Sequence, residues 1–332
     1  MRPDIVARRR QRVRTIAGYL VAAVCLVWVF HDVHVAGMLR AVRELRWTWV
    51  WLAIAVDIAS YVTQGFRWQC LLRPIGNLRW LEATQAIYAG LFASEVLPMR
   101  PGEVLRALIV SRQLQTDVSA VFPSILVERL FDGIWLALGV GVAAMLIPLP
   151  TNLLRAGDLL GLLILLATTL FLYVVLRRPG ASFISPGVDA GRPAGRVARF
   201  RRGLQDIGRR RETYLAFVLS LALLLGQMLA FWMVMLAYGL SISFWTAAVV
   251  LLIVHLGTAV PNAPGNVGTY QFFCVVALTL FGIDKTLATG FSVVVFVILT
   301  IPLWLIGFVA LGRTGATLAS VRAQIDTQHV RP

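Results

Sequence analysis

Runs of about 15–25 uncharged or nearly uncharged residues recur along the chain, separated by short Arg-bearing segments. A helix that crosses a bilayer needs about 20 mostly apolar residues. The runs near 15–30, 47–65, 118–147, 157–176, 214–238 and 286–311 therefore each predict a span. Two further apolar regions are interrupted. The first, 81–112, begins as an apolar helix, breaks at Pro98-Met99-Arg100-Pro101-Gly102 and resumes as Glu103-Val104-Leu105-Arg106. The second, 244–282, breaks at Pro261-Asn262-Ala263-Pro264-Gly265-Asn266 and resumes to Phe281.

Both interruptions read P-x-x-P-G-x-V, from Pro98 to Val104 and from Pro261 to Val267, 163 residues apart, which suggests an internal repeat. Proline removes a backbone donor and blocks the helix, while glycine can take positive φ, so each motif should unwind the chain inside or at the edge of the bilayer. Unwound backbone survives at that depth only where protein buries it or a water-filled cavity receives it. A surface turn between two ordinary spans is the plainer alternative.

Charge adds topology. The balance is 31 basic against 16 acidic residues, net +15 with a pI near 11.1, and Lys285 is the only Lys among 30 Arg. The Arg lie between apolar runs rather than on one soluble basic face, so the pattern points to the positive-inside rule and to anionic lipid headgroups, and away from nucleic acid. Ten Arg against three acids in 177–213 predict a cytoplasmic loop with a short helix at 196–212, and the basic segment 1–14 predicts a cytoplasmic N-terminus before a retained signal-anchor helix. An even number of crossings must separate the two, which a re-entrant hairpin at 81–112 satisfies; two full crossings there would satisfy it equally. A second hairpin would then enter from the opposite face, as in inverted-repeat transporters. The expected architecture is an all-α polytopic membrane protein with about six full spans and two broken, re-entrant regions. It divides into a membrane half at 15–176, the basic loop 177–213, a second half at 214–312 and a cytoplasmic tail at 313–332. A mean hydropathy of +0.78 with 58% hydrophobic and 14% charged residues excludes an ordinary soluble domain.

Ionisable residues within spans are functional candidates by default. Asp57 lies midway through 47–65, Glu95 just before the first break, and Glu103 and Arg106 just after it. Glu128, Arg129 and Asp132 fall within 118–147, where i, i+3 and i, i+4 spacing puts them within mutual reach. An internal salt bridge that knits helices together is the plainer reading of this trio, and Asp57 could pair with one of the Arg. The resumed helix after the first break would point its free N–H groups at a ligand, and Arg100 with Arg106 would add a fork suited to phosphate. The second break offers uncharged donors and acceptors in Asn262, Asn266, Thr269, Tyr270 and Gln271. His255 suits a packed, hydrogen-bonded role better than proton transfer. Cys25, Cys70 and Cys274 have no metal-ligand spacing, so free thiols are expected and neither metal nor cofactor is implied. The sequence lacks a Walker A loop, H-E-x-x-H, G-x-S-x-G and D-x-D, and Asp132-Gly133 is not followed by the rest of a CDP-alcohol phosphotransferase motif.

The stretches Leu97–Arg106, Val127–Asp132 and Val260–Gly268 together resemble the membrane domain of the lysylphosphatidylglycerol synthases, the flippase-like family, over about residues 15–312. The resemblance implies a bacterial inner-membrane protein that moves an envelope lipid, such as a phospholipid, hopanoid or lipid-linked sugar, between leaflets. About 20 residues follow the last span, so the resemblance extends to the membrane domain and not to the soluble synthase. Gln271 stands where many members place Glu. On this reading Glu103 and Arg106 contact the headgroup and Glu128, Arg129 and Asp132 orient them, so that Arg106→Ala should abolish transport with expression intact. A second copy of the chain or an envelope-lipid enzyme would be its protein partner. A lipid-modifying intramembrane enzyme and a membrane scaffold are the alternatives.

Overall fold

The computed structural model describes residues 19–31, 42–97, 101–146, 151–176, 200, 203–208, 211–258 and 264–314. Among these the regular structure is helical throughout: α1 (Tyr19–Phe30), α2 (Trp47–Leu72), α3 (Trp80–Val96), α4 (Gly102–Gln113), α5 (Val118–Leu146), α6 (Thr151–Leu176), α7 (Arg211–Ala237), α8 (Phe244–Thr258), α9 (Thr269–Leu280) and α10 (Lys285–Arg313), with a 3₁₀ turn at Pro264–Asn266. Four of them, α2, α5, α7 and α10, are long and apolar enough to cross a bilayer, and α1, α8, α9 and the stretch Gly161–Leu176 are shorter apolar helices. The chain is a multi-pass membrane protein.

The apolar runs anticipate most helix ends to within a few residues. The exceptions occur where charge lies inside a helix. α2 continues past the uncharged run to Leu72 because Arg67 is paired and buried rather than at the membrane surface. α6 takes Arg155 and Asp158 into its opening turns. α10 is closed at its start by Asp284, whose side chain accepts from the Thr286 and Leu287 N–H groups at 2.8 and 3.2 Å, a cap that satisfies donors left free at a helix start. α5 and α10 carry Pro123 and Pro302 internally. Of the short helix expected at 196–212, residues 203–208 are helical; most of 177–213, the N-terminal segment 1–14 and the tail beyond Thr314 lie outside the described residues.

The helices sort into two compact units that interleave along the sequence. One comprises residues 1–59, 88–105 and 226–332, the other 60–87 and 106–225. In the first, Phe231 and Phe291 meet edge to face with centroids 5.5 Å apart, Tyr238 adds a further edge on Phe291 at 5.7 Å, and every residue of α8 from Ala247 to Val254 is buried. A helix apolar on all sides is stable only where neighbours cover all sides. In the second unit Cys70, Leu71, Val127, Phe131, Leu204, Ile207 and Ala216 form the core, with Phe131 edge-on to Phe217 at 5.2 Å.

Candidate functional site

Two polar constellations stand out, one within each unit. In the second unit Arg67 of α2 is fully buried. Its Nη1 donates to Asp132 and, at 2.9 Å, to Ser220 Oγ of α7; its Nη2 donates to Glu128 Oε1 at 2.9 Å and to Asp132 Oδ2 at 3.4 Å. The other oxygen of Glu128 pairs at 2.7 Å with Arg106 Nη1 from α4. Arg106 also lies over the Trp68 ring, 4.8 Å from its centroid, and the Trp68 indole donates to Ser124 Oγ at 2.9 Å. Glu128 thus bridges two guanidinium groups, one per oxygen, and two Arg balance two carboxylates. Burying charge is tolerable only when partners replace lost hydration, and this cluster supplies them from α2, α4, α5 and α7. Asp132 is 31% exposed and Arg129, 3.7 Å away, is 54% exposed, so that end of the cluster is open.

In the first unit the two proline-glycine breaks converge on one helix end. At the first, the Gly102 N–H donates to Ser94 Oγ of α3 at 3.2 Å, and a Cβ at Gly102 would collide with the Gly90 carbonyl oxygen and Ser94 Oγ. At the second, Gly265 is left-handed at φ 66°, and a Cβ there would lie 2.9 Å from Glu95 Oε2, again from α3. The last two turns of α3 therefore seat both motifs. Asn266 follows in the left-handed region at φ 53°, buried, and its Oδ1 has no hydrogen-bond partner among the described residues. Gly268, at φ 89° and ψ −55°, opens α9 and presses against the Ala22 backbone of α1; Thr269 Oγ1 donates to the Asn266 carbonyl at 3.0 Å. Gln271 is buried, and its Oε1 accepts from the Gly268 N–H at 2.7 Å. This acceptor role needs no charge.

Of the residues singled out in the sequence, Arg106, Glu128 and Asp132 come together, with Arg129 at the edge, while Asn266 and Gln271 share the second break. Pro101 and Gly102 are buried at the first break, Glu103 is half-buried, and Pro264 opens the 3₁₀ turn. Pro98, Arg100, Pro261 and Asn262 lie outside the described residues. Asp57 is buried and forms no ion pair with these Arg among the described residues. Sequence reading missed Arg67, which sits just past the uncharged run where a membrane-surface Arg is the default; the Trp beside it and the two acids on 118–147 were the available signal. It also left Glu95 outside the site, because nothing in the sequence ties that residue to a motif 170 positions later.

Two curated relatives are similar. One is a UPF0104 membrane protein of Methanothermobacter thermautotrophicus, 24% identical over 280 residues that make up 77% of this chain and 80% of the relative. The other is the glycosyltransferase AglD of Haloferax volcanii, 25% identical over 126 residues, which are 38% of this chain and 20% of that protein. No solved structure matches. The family model for the lysylphosphatidylglycerol synthase TM region matches residues 15–307, encompassing α1 to α9, both breaks, the ionic cluster and most of α10, and the chain belongs to that family.

Proposed function

We propose that this protein is a lipid translocase that moves an envelope lipid between leaflets, with the headgroup passing the convergence of the two breaks on α3. The observation that carries the reading is the pair of interrupted regions themselves. At 1.5 Å per residue, α3 with 17 residues rises about 26 Å, α8 with 15 about 22 Å, and α4 and α9 with 12 each about 18 Å, all short of the roughly 30 Å hydrocarbon core. Helices of these lengths favour re-entrant hairpins, and broken helices near the bilayer midplane are how transporters expose backbone polar groups to a substrate. The buried acceptor of Asn266 and the Glu95 carboxylate beside Gly265 supply polarity where a headgroup would pass. The lipid tail stays in the bilayer throughout. The ionic cluster around Arg67 is, on this reading, framework that fixes α2, α4, α5 and α7, with Asp132 and Arg129 as its accessible edge.

Leaflet-resolved lipid analysis of cells with and without the protein tests the reading. One lipid should change leaflet while its total amount stays constant. If instead a lipid species disappears from the total extract, the protein is a lipid-modifying enzyme and translocation falls. The hairpins are tested separately by cysteine labelling, since positions beside 99 and 263 should label from opposite sides.

A further inference from the structure

Lys285 begins α10, and its Nζ donates to the His31 carbonyl at 3.0 Å while lying 4.8 Å from the centroid of the Trp28 ring. These groups close one end of a cavity of about 530 Å³ whose other lining residues are Leu20, Ala23, Val24 and Val27. Leu20, Val24, Val27 and His31 recur at intervals of four, three and four, so they share one face of the α1 turn sequence. Leu20, Val24 and Val27 are 61%, 68% and 69% exposed, so the described residues leave this face largely open.

The groove has the proportions of one lipid. From Leu20 to His31 the helix rises about 16 Å, close to the 15 Å or so of a single leaflet's hydrocarbon. One end is wholly apolar. The other carries an ammonium and an indole of the kind that settles at the headgroup level. An ammonium has three donors, of which His31 takes one among the described residues. Asp284, the neighbouring acid, caps α10 through Oδ1, which accepts from the Thr286 and Leu287 N–H groups. We infer that this groove binds an anionic phospholipid, with the phosphate on Lys285, the glycerol region against Trp28 and one acyl chain along α1. It is a second lipid site, built from residues the two breaks do not use, and it does not depend on the protein being a translocase.

Native mass spectrometry of the purified full-length protein with phosphatidylglycerol or phosphatidylcholine of identical acyl chains tests it. Phosphatidylglycerol should be retained in preference, and Lys285→Ala should lower its retention about fivefold, the effect of one cation near an anionic headgroup, while leaving phosphatidylcholine unchanged. Equal retention of the two lipids by the unaltered protein, or an equal loss of both in Lys285→Ala, overturns the headgroup assignment. Val24→Trp adds bulk at an exposed position and should displace the acyl chain, lowering retention of both lipids; undiminished phosphatidylglycerol binding in that variant overturns the groove assignment. A Val24→Cys variant on a Cys25→Ser background that crosslinks copies in native membranes, with lipid retention indifferent to the other substitutions, would make the groove a protein interface and refute the proposal.

Discussion

The ionic cluster and the second break solve the same problem in opposite ways. Both hold polar groups inside an apolar protein. Around Arg67 the solution is charge pairing: two guanidinium groups, two carboxylates, a serine and an indole face meet one another, and Arg67 Nε is left without a hydrogen-bond partner among the described residues. Around Gly265 the solution is conformation: three residues with positive φ within four positions and a carbonyl oxygen buried without a hydrogen-bond partner among the described residues. Paired groups resist change, because removing one strands another. Unpaired groups and left-handed backbone are retained at a cost, and such features concentrate where a ligand or a moving segment makes use of them. On the proposed translocase reading, the first region is framework and the second lines the headgroup path.

Substitutions can break that contrast, and the largest effect should come from Arg67→Ala. It leaves Glu128 and Asp132 short of a partner in a buried site, a loss of about 3–5 kcal/mol, visible as a collapse of thermal stability in detergent. A variant that unfolds at the parental temperature would remove the cluster from the framework. Arg106→Ala follows by the same reasoning at reduced size, since Arg67 still compensates Glu128; both yield and transport should fall, so expression must be measured beside activity. At the second break Gly265→Ala should cost about 1–2 kcal/mol for a left-handed non-glycine residue, with transport lost well before folding fails. Glu95→Gln is nearly isosteric and should leave the melting temperature close to the parent while reducing translocation in a reconstituted leaflet assay; intact translocation would take Glu95 out of the headgroup path. The smallest stability change belongs to Asn266→Gly, which keeps the left-handed conformation and deletes the unpartnered oxygen. A shift within about 0.5 kcal/mol accompanied by slower transport sharpens the contrast, whereas a large loss of stability would mean that Asn266 belongs to the framework.

The sequence made the helices legible because apolar runs of membrane length have few other outcomes, and both breaks were legible because Pro and Gly act locally. The site was legible only in part. Glu128 and Asp132 share a helix face by spacing alone, but their main partner is 61 and 65 residues away on α2, and no local rule selects it. The repeated motif also concealed a difference. Gly265 is glycine for its positive φ, as the motif suggests, whereas Gly102 is not among the positive-φ residues and is glycine because the Gly90 carbonyl and Ser94 leave no room for a side chain. Identical letters in the two copies answer to different physical demands. For the same reason the second break looks uncharged in sequence, although α3 brings Glu95 against it.

The close approach of Gly102 to Gly90 bears on how the protein is made. Neither α3 nor α4 is long enough to halt in the membrane alone, and α4 carries Glu103, Arg106 and Arg112, residues that oppose insertion of a solitary helix. Closed on a glycine contact with no intervening side chain, the two would enter as a single insertion unit whose combined length exceeds the bilayer, with Arg106 finding its partners, Glu128 and Trp68, on α5 and α2. During synthesis α3 should therefore wait at the translocon until α4 has emerged. Glycosylation mapping of nascent chains of increasing length would detect this as the simultaneous integration of both segments, and Gly102→Ala would delay it by prying the pair apart.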